Sequence, residues 1–257
     1  MTAPKRSFGP RLTDEARRSY IEDVRSDGAR LIDLASSALD ARVESCPQWT
    51  VRDLVLHAGL VHRNKARQVA DAMLESCPII EQPADGEDLS EWYRVGLVTL
   101  LNALEHADPE RPVWSWHPFQ WDADFWIRRM AHETAVHRVD AELAVDARTP
   151  TRRELALDGI DEILDVWLTH RPRLSGYRGD GESIRVSSSG ESWAVTLHPT
   201  EVSLVRGRRR AKVDVTIDGD PEDVYLWLWG RASDDRVQIC GDRAAVASLR
   251  AQIRAVI

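Results

Sequence analysis

The chain has 257 residues, 43% of them hydrophobic, enough for one large domain or two ordinary ones with a proper core. A formal net charge of -8 argues against nucleic-acid phosphates or an anionic membrane surface as partners. There is no run of eighteen apolar residues, no apolar signal segment in MTAPKRSFGPRLTDEARR and no CxxC among the three cysteines, so a reduced, cytoplasmic setting without a membrane span is expected.

Four helices are predicted in the first half. The first runs from Thr13 to about Leu39, with Thr13-Asp14-Glu15 as cap and acidic first turn and Tyr20, Val24, Leu31, Leu34, Ala35 and Ala38 at helical intervals. Pro47 precedes Trp49-Thr50, and Thr50 with Asp53 has the form of a capping box opening a second helix that reaches about Leu74. Pro78 and residues 83–88 make a loop, and a third helix covers Leu89 to about Ala107. Residues 108–121 hold three prolines and are expected to be irregular, and a fourth helix follows from Asp122 to about Val145. Four amphipathic helices with polar groups on inward stripes suit a bundle with an internal metal site.

The fourth helix contains Arg128-Arg-Met-Ala-His-Glu-Thr-Ala-Val-His137, which places Glu133 and His137 at i and i+4. Side chains at that spacing share one face, so a carboxylate and an imidazole can close on one cation. The zinc-protease pattern is absent, because the residue four after His132 is Val136. His57 is the candidate third ligand: it shares a stripe with Leu54, Ala58, Leu60 and Val61 and should point inward, towards the stripe Trp126, Met130, Glu133, His137, Ala141 and Ala144. An ionised glutamate on such an apolar stripe is costly unless it is paired or bound to metal. Two histidines and a glutamate leave one position open on a tetrahedral ion, as catalytic zinc sites do. The competing readings are a hydrogen-bonded core histidine at position 57 and an ordinary helix-stabilising contact between positions 133 and 137. His62, five residues after His57, is expected at the surface, and His106, His117, His170 and His198 have no partner at ligand spacing. The tryptophans at 114, 116, 121 and 126, four of ten in the chain, are read as packing residues.

Helical periodicity stops near Thr149-Pro150, and the second half has a different grammar. A fifth helix is predicted over Leu157–His170, followed by turns at Gly176, Gly179 and Gly181. Ser183–Ser188, Ser192–Leu197, Glu201–Arg206 and Val213–Asp218 alternate apolar and polar residues, which predicts an antiparallel sheet. A short helix from Asp220-Pro221 to Leu228, a strand over Val237–Cys240 and a C-terminal helix capped by Gly241-Asp242 complete an α+β module.

The stretches Pro47-Gln-Trp-Thr-Val51, Asp53-Leu54 and His57, and Arg128 to His137 with Arg138 and Asp140, resemble the mycothiol-dependent maleylpyruvate isomerase family within the DinB-like metalloenzymes. The resemblance extends over nearly the whole chain and is looser around Trp229-Gly230-Arg231 and Gly241-Asp242. It implies an α+β protein with a metal-binding four-helix bundle over residues 1–148 and a sterol-carrier-like domain over residues 149–257. It also implies a divalent metal, zinc by preference, on His57, Glu133 and His137, with mycothiol as thiol cofactor or cosubstrate. A catalytic arginine of the C-terminal domain is carried onto Arg231, with Arg236 and Arg243 as close competitors and Arg128, Arg129 or Arg138 as candidate assistants. The function implied is a metal-dependent isomerase or S-transferase, in which an activated thiol acts on a small carboxylate-bearing or electrophilic substrate where the two domains meet. The alternative is a non-catalytic, metal-stabilised small-ligand-binding or regulatory protein. Small molecules are the expected partners, with neither nucleic acid nor membrane, and the oligomeric state is left open.

Overall fold

In the computed structural model, which describes residues 11–79, 82–171, 179–207 and 212–257, the described residues up to Thr149 form one compact unit and those from Pro150 onward a second. The first is built on helices α1 (Asp14–Ala35), α2 (Val51–Ala70), α3 (Leu89–Glu105) and α4 (Ala123–Leu143). Each starts where a side chain satisfies free amides of the first turn. Thr13 caps α1, Asp88 caps α3, Asp122 caps α4, and Thr50 with Asp53 forms a complete capping box on α2. The C-termini come earlier than the periodicity predicts. Ser36 and Ser37 turn their hydroxyls back onto Ile32 and Asp33 carbonyls at the end of α1. After α2, Ala72 takes a left-handed φ of 46°, and the Gln68 amide holds the carbonyls of Met73 and Glu75.

Side-chain pairs give the helix directions. Arg17 meets Asp124, Asp27 meets Arg138 and Arg30 meets Glu142, so α1 and α4 run parallel. His57 faces Glu133 and, further along α2, Lys65 stands over Trp126, so α2 runs antiparallel to α4. The parallel neighbours α2 and α3 approach closely because glycine stands at two crossing points: a Cβ at Gly59 would run into the Trp92 ring, and one at Gly96 into the Arg63 guanidinium. A parallel pair cannot be joined by a tight turn, which explains the long connection over residues 71–88. Leu31, Val43, Val51, Leu54, Val55, Ala58, Tyr93 and Ala141 share one fully buried apolar cluster.

α4 departs from the amphipathic expectation. Of its 21 residues, 18 are buried, including Arg129, Arg138, Asp140 and Glu142, so its polar side chains need partners inside the protein.

In the second unit, α5 (Arg153–Glu162) continues as a π-helical turn over Ile163–Thr169. Strands β1 (Glu182–Ser188), β2 (Glu191–Leu197), β3 (Val202–Arg206), β4 (Val215–Asp218) and β5 (Gln238–Gly241) form a sheet of order β3-β2-β1-β4-β5. The β1–β2 turn has positive φ at Ser189 and Gly190, as a two-residue hairpin requires. The sheet is mixed rather than antiparallel: β4 pairs with β1 in parallel, while the other neighbours are antiparallel. Alternation reports that one face of a strand is buried and carries no information on strand direction. Helices α6 (Pro221–Leu228) and α7 (Arg243–Arg254) complete an α+β unit; Gly176 lies outside the described residues. Among the described residues no helix is long and apolar enough to cross a membrane.

Candidate metal centre

The antiparallel pairing of α2 and α4 brings His57 opposite the turn that carries Glu133 and His137. His57 Nε2 lies 3.4 Å from Glu133 Oε1, and His137 Nε2 lies 3.3 Å from the same oxygen. One ligand atom from each of the three residues lies within 4.8 Å of the others, the one such group among the described residues. With bonds of about 2.1 Å, a tetrahedral ion holds its ligand atoms roughly 3.4 Å apart, so two observed separations already match the edge such an ion needs. Two imidazole nitrogens and a carboxylate oxygen suit a borderline divalent cation such as zinc, and the residues therefore fit one.

Each ligand is held by further contacts. His137 turns Nδ1 to Asp140 Oδ2 at 3.3 Å, and Asp140 Oδ1 accepts from the Ser45 hydroxyl at 2.5 Å. That carboxylate–imidazole contact sets the tautomer and points Nε2 at Glu133. Arg129 Nη2 donates to Glu133 Oε2 at 2.9 Å, which leaves Oε1 between the two histidines. The His57 and His137 rings stand 5.1 Å apart at 81°, and Trp49 lies 5.0 Å from His57 and 6.5 Å from His137. Trp49 is fixed by its own backbone: its amide donates to Cys46 O and its carbonyl accepts from Val43.

The charges are strongly coupled. Burial would raise the Glu133 carboxyl, but His137, His57 and Arg129 hold it well below the ordinary glutamate value. Burial would lower His137, but Asp140 and Glu133 outweigh it and raise the imidazole to about 9. The His57 side chain is 38% exposed against 18% for Glu133 and 11% for His137, so the site is most open beside His57.

His57, Glu133 and His137 thus come together as the sequence predicts, and several other expectations change. His62 is fully buried rather than at the surface: its Nε2 meets Thr134 Oγ1 at 3.1 Å and its ring packs on Tyr93. Burial pushes it down to about 3, so it is neutral. Arg138 is no site arginine, because it is tied to Asp27, Glu142 and Thr149. Arg129 supports a ligand. The tryptophan cluster packs, with Trp126 Nε1 donating to Trp114 O and Trp116 edge-on to Phe125. In the second unit, Arg236 pairs with Asp223 and Arg243 with Asp234, whereas Arg231 donates to the Trp229 carbonyl. Sequence reasoning missed the supporting roles of Asp140 and Ser45. Asp140, three residues after His137, was legible as a neighbour on its face; Ser45, in a loop, had no such signal.

The comparisons agree with this architecture. A model of the mycothiol maleylpyruvate isomerase N-terminal domain matches residues 21–142, and a model of the C-terminal domain of the same group matches residues 154–248. Crystal structures of the mycothiol-dependent maleylpyruvate isomerase and of a histidine-to-alanine variant of it are similar in fold, with TM-scores of 0.59 and 0.58. Each is 14% identical in sequence, over 88% of this chain and 94% of its own. No curated protein matches the sequence. With both domain models matched in order and the fold shared along most of its length, the chain belongs to the mycothiol maleylpyruvate isomerase family.

Proposed function

We propose that the protein is a metal-dependent enzyme that uses a low-molecular-weight thiol, mycothiol, to isomerise a small carboxylate-bearing substrate or to transfer the thiol to an electrophile. The observation that carries this reading is the convergence of His57 Nε2 and His137 Nε2 on one oxygen of Glu133. These three residues would hold a divalent cation, zinc by its donor set, and when bound it supplies the Lewis acidity that makes a thiol a thiolate near neutral pH. The thiolate would add reversibly to a conjugated double bond in an isomerisation, or displace a leaving group in a transfer.

The chain's own residues supply orientation. Asp140, itself held by Ser45, keeps His137 Nε2 turned to the site. Arg129 occupies the second oxygen of Glu133 and prevents the carboxylate from swinging away. Trp49 covers His57 and His137 and excludes water from that side, and the more exposed flank of His57 is the approach for a thiol. Arg231 is assigned to the substrate carboxylate by the family resemblance, with Arg236 and Arg243, which pair with Asp223 and Asp234, as its competitors.

Calorimetric titration of mycothiol into the metal-loaded and the chelated protein tests the reading. Binding to the loaded form that disappears on chelation is expected, and thiol binding that is absent or indifferent to chelation would contradict it. The opposing reading, a non-catalytic small-ligand-binding or regulatory protein, draws on the same triad, because Glu133 already bridges His57 and His137 as a hydrogen-bonded cluster. That protein would bind no mycothiol.

A further inference from the structure

Lys65 on α2 is one of three lysines in the chain, with Lys5 and Lys212. It is half-buried, and its Nζ stands over the Trp126 ring of α4, 4.4 Å from the centroid. Among the described residues it makes no ion pair and no hydrogen bond. Burial pushes its ammonium below the ordinary lysine value, and the neighbouring groups that oppose this are Cys77 and Glu133. Neither serves as its counter-ion. Cys77 turns its sulfur to the Pro78 carbonyl at 3.6 Å, and its backbone is held by Asn64 and Gln68. Glu133 is shared by His57, His137 and Arg129. A cation on that cluster would neutralise Glu133 further. A contact with an aromatic face offsets only part of the desolvation of an ammonium, so Lys65 is a partly buried cation awaiting an anion.

Its position says which anion. Lys65 lies eight residues after His57, and Trp126 lies seven before Glu133. Because α2 and α4 are antiparallel, Lys65 and Trp126 form the next polar layer along the same seam, about 11–12 Å from the triad at 1.5 Å per residue. Helical side chains lean towards the N-terminus of their own helix, so Lys65 leans towards the His57 layer and shortens that gap. Between the two layers the stripes present Val61 and the buried Met130, an apolar wall. A cation-binding cluster at one end, apolar side chains along the middle and an ammonium at the other end suit a short carbon chain with a carboxylate.

We propose that Lys65 is the second anchor of the site, its ammonium holding a carboxylate of a short unsaturated acid whose other end reaches the His57–Glu133–His137 cluster. This rests on the functional reading above for the second end only; the contact at Lys65 stands on its own.

Maleate, a cis-unsaturated dicarboxylate, is the probe, titrated without thiol into the full chain in buffer containing zinc. Reductive methylation with 13C-formaldehyde preserves the lysine charge and gives separate NMR signals for Lys5, Lys65 and Lys212, with Lys65 assigned by its loss in Lys65→Arg. The Lys65 signal should move saturably with maleate while the other two stay. Calorimetry should show maleate affinity weakened roughly 10- to 100-fold in Lys65→Met and largely kept in Lys65→Arg, with zinc content the same in all three proteins. A Lys65 signal unmoved by maleate, wild-type protein that binds no maleate, or Lys65→Met binding it as tightly as wild type would overturn the proposal. The NMR readout uses the native sequence, so it holds even where Lys65→Met folds poorly. Mycothiol binding with a silent Lys65 signal would remove this proposal and leave the functional reading intact, and a maleate-responsive Lys65 without mycothiol binding would do the reverse.

Discussion

Helix α4 carries two buried charged clusters, and they are built differently. Towards α1, Arg138 meets Asp27 at 3.0 Å and Glu142 at 2.7 Å, and Glu142 also takes Arg30 at 3.1 Å and the Thr149 hydroxyl at 2.6 Å. Cations there face carboxylates at short range, as a structural ion-pair network requires. Towards α2, Glu133 Oε1 sits between two imidazole nitrogens at 3.3 and 3.4 Å, near the long limit of a hydrogen bond. Burial of charge is common to both clusters and does not mark a site. Convergence of lone pairs on one point at ligand spacing does, and only the α2 side shows it.

If that contrast is right, damage to one cluster should leave the other's property intact. The largest effect is expected for Arg138→Ala, which strands Glu142 and Asp27 and should cost about 3–5 kcal/mol of unfolding free energy in denaturant titrations. Metal content of the folded fraction should not change, and a variant that lost both would merge the two clusters into one. A smaller effect is expected for Asp140→Asn, which keeps the shape of the His137 contact and removes its charge. Metal affinity should fall about 10- to 100-fold in competition with a chelator while the melting temperature of the metal-free protein shifts little.

The smallest effect is a pH dependence on the α1 side. Burial, opposed by Arg138, raises the Asp27 carboxyl from its ordinary value to about 6. A raised folded-state value contributes stability that is complete below the unfolded carboxyl range and is lost as pH climbs through about 6. Wild-type protein should therefore lose more stability than Asp27→Asn between pH 4.5 and about 7.5 in parallel melts. Equal pH profiles for the two proteins would show that Asp27 is as well solvated folded as unfolded.

Much of this contrast was legible in the sequence, for identifiable reasons. Glu133 and His137 lie on one helix, where spacing alone puts them on one face, and His57 could be added because it interrupts an apolar stripe. The helix starts were legible because capping is local chemistry, as at Thr50 and Asp53. Misreadings arose where the answer depends on a second element. Five residues rotate His62 well away from His57, but away from His57 means into the contact with Tyr93 of α3 rather than into solvent. An amphipathic α4 would leave one face to solvent, yet Arg138 and Glu142 are buried because α1 brings Asp27 and Arg30 to meet them. Ser45 reaches Asp140 across 95 positions of sequence, and the parallel β1–β4 pairing joins strands separated by two others, neither of which a local pattern encodes.

The most direct test of the metal centre is the metal content of purified, zinc-equilibrated protein after gel filtration. About one zinc per chain is expected for the wild type and almost none for the Glu133→Ala/His137→Ala double variant, with Arg138→Ala keeping the wild-type value. A double variant that retains full occupancy would contradict the assignment of the ion to His57, Glu133 and His137.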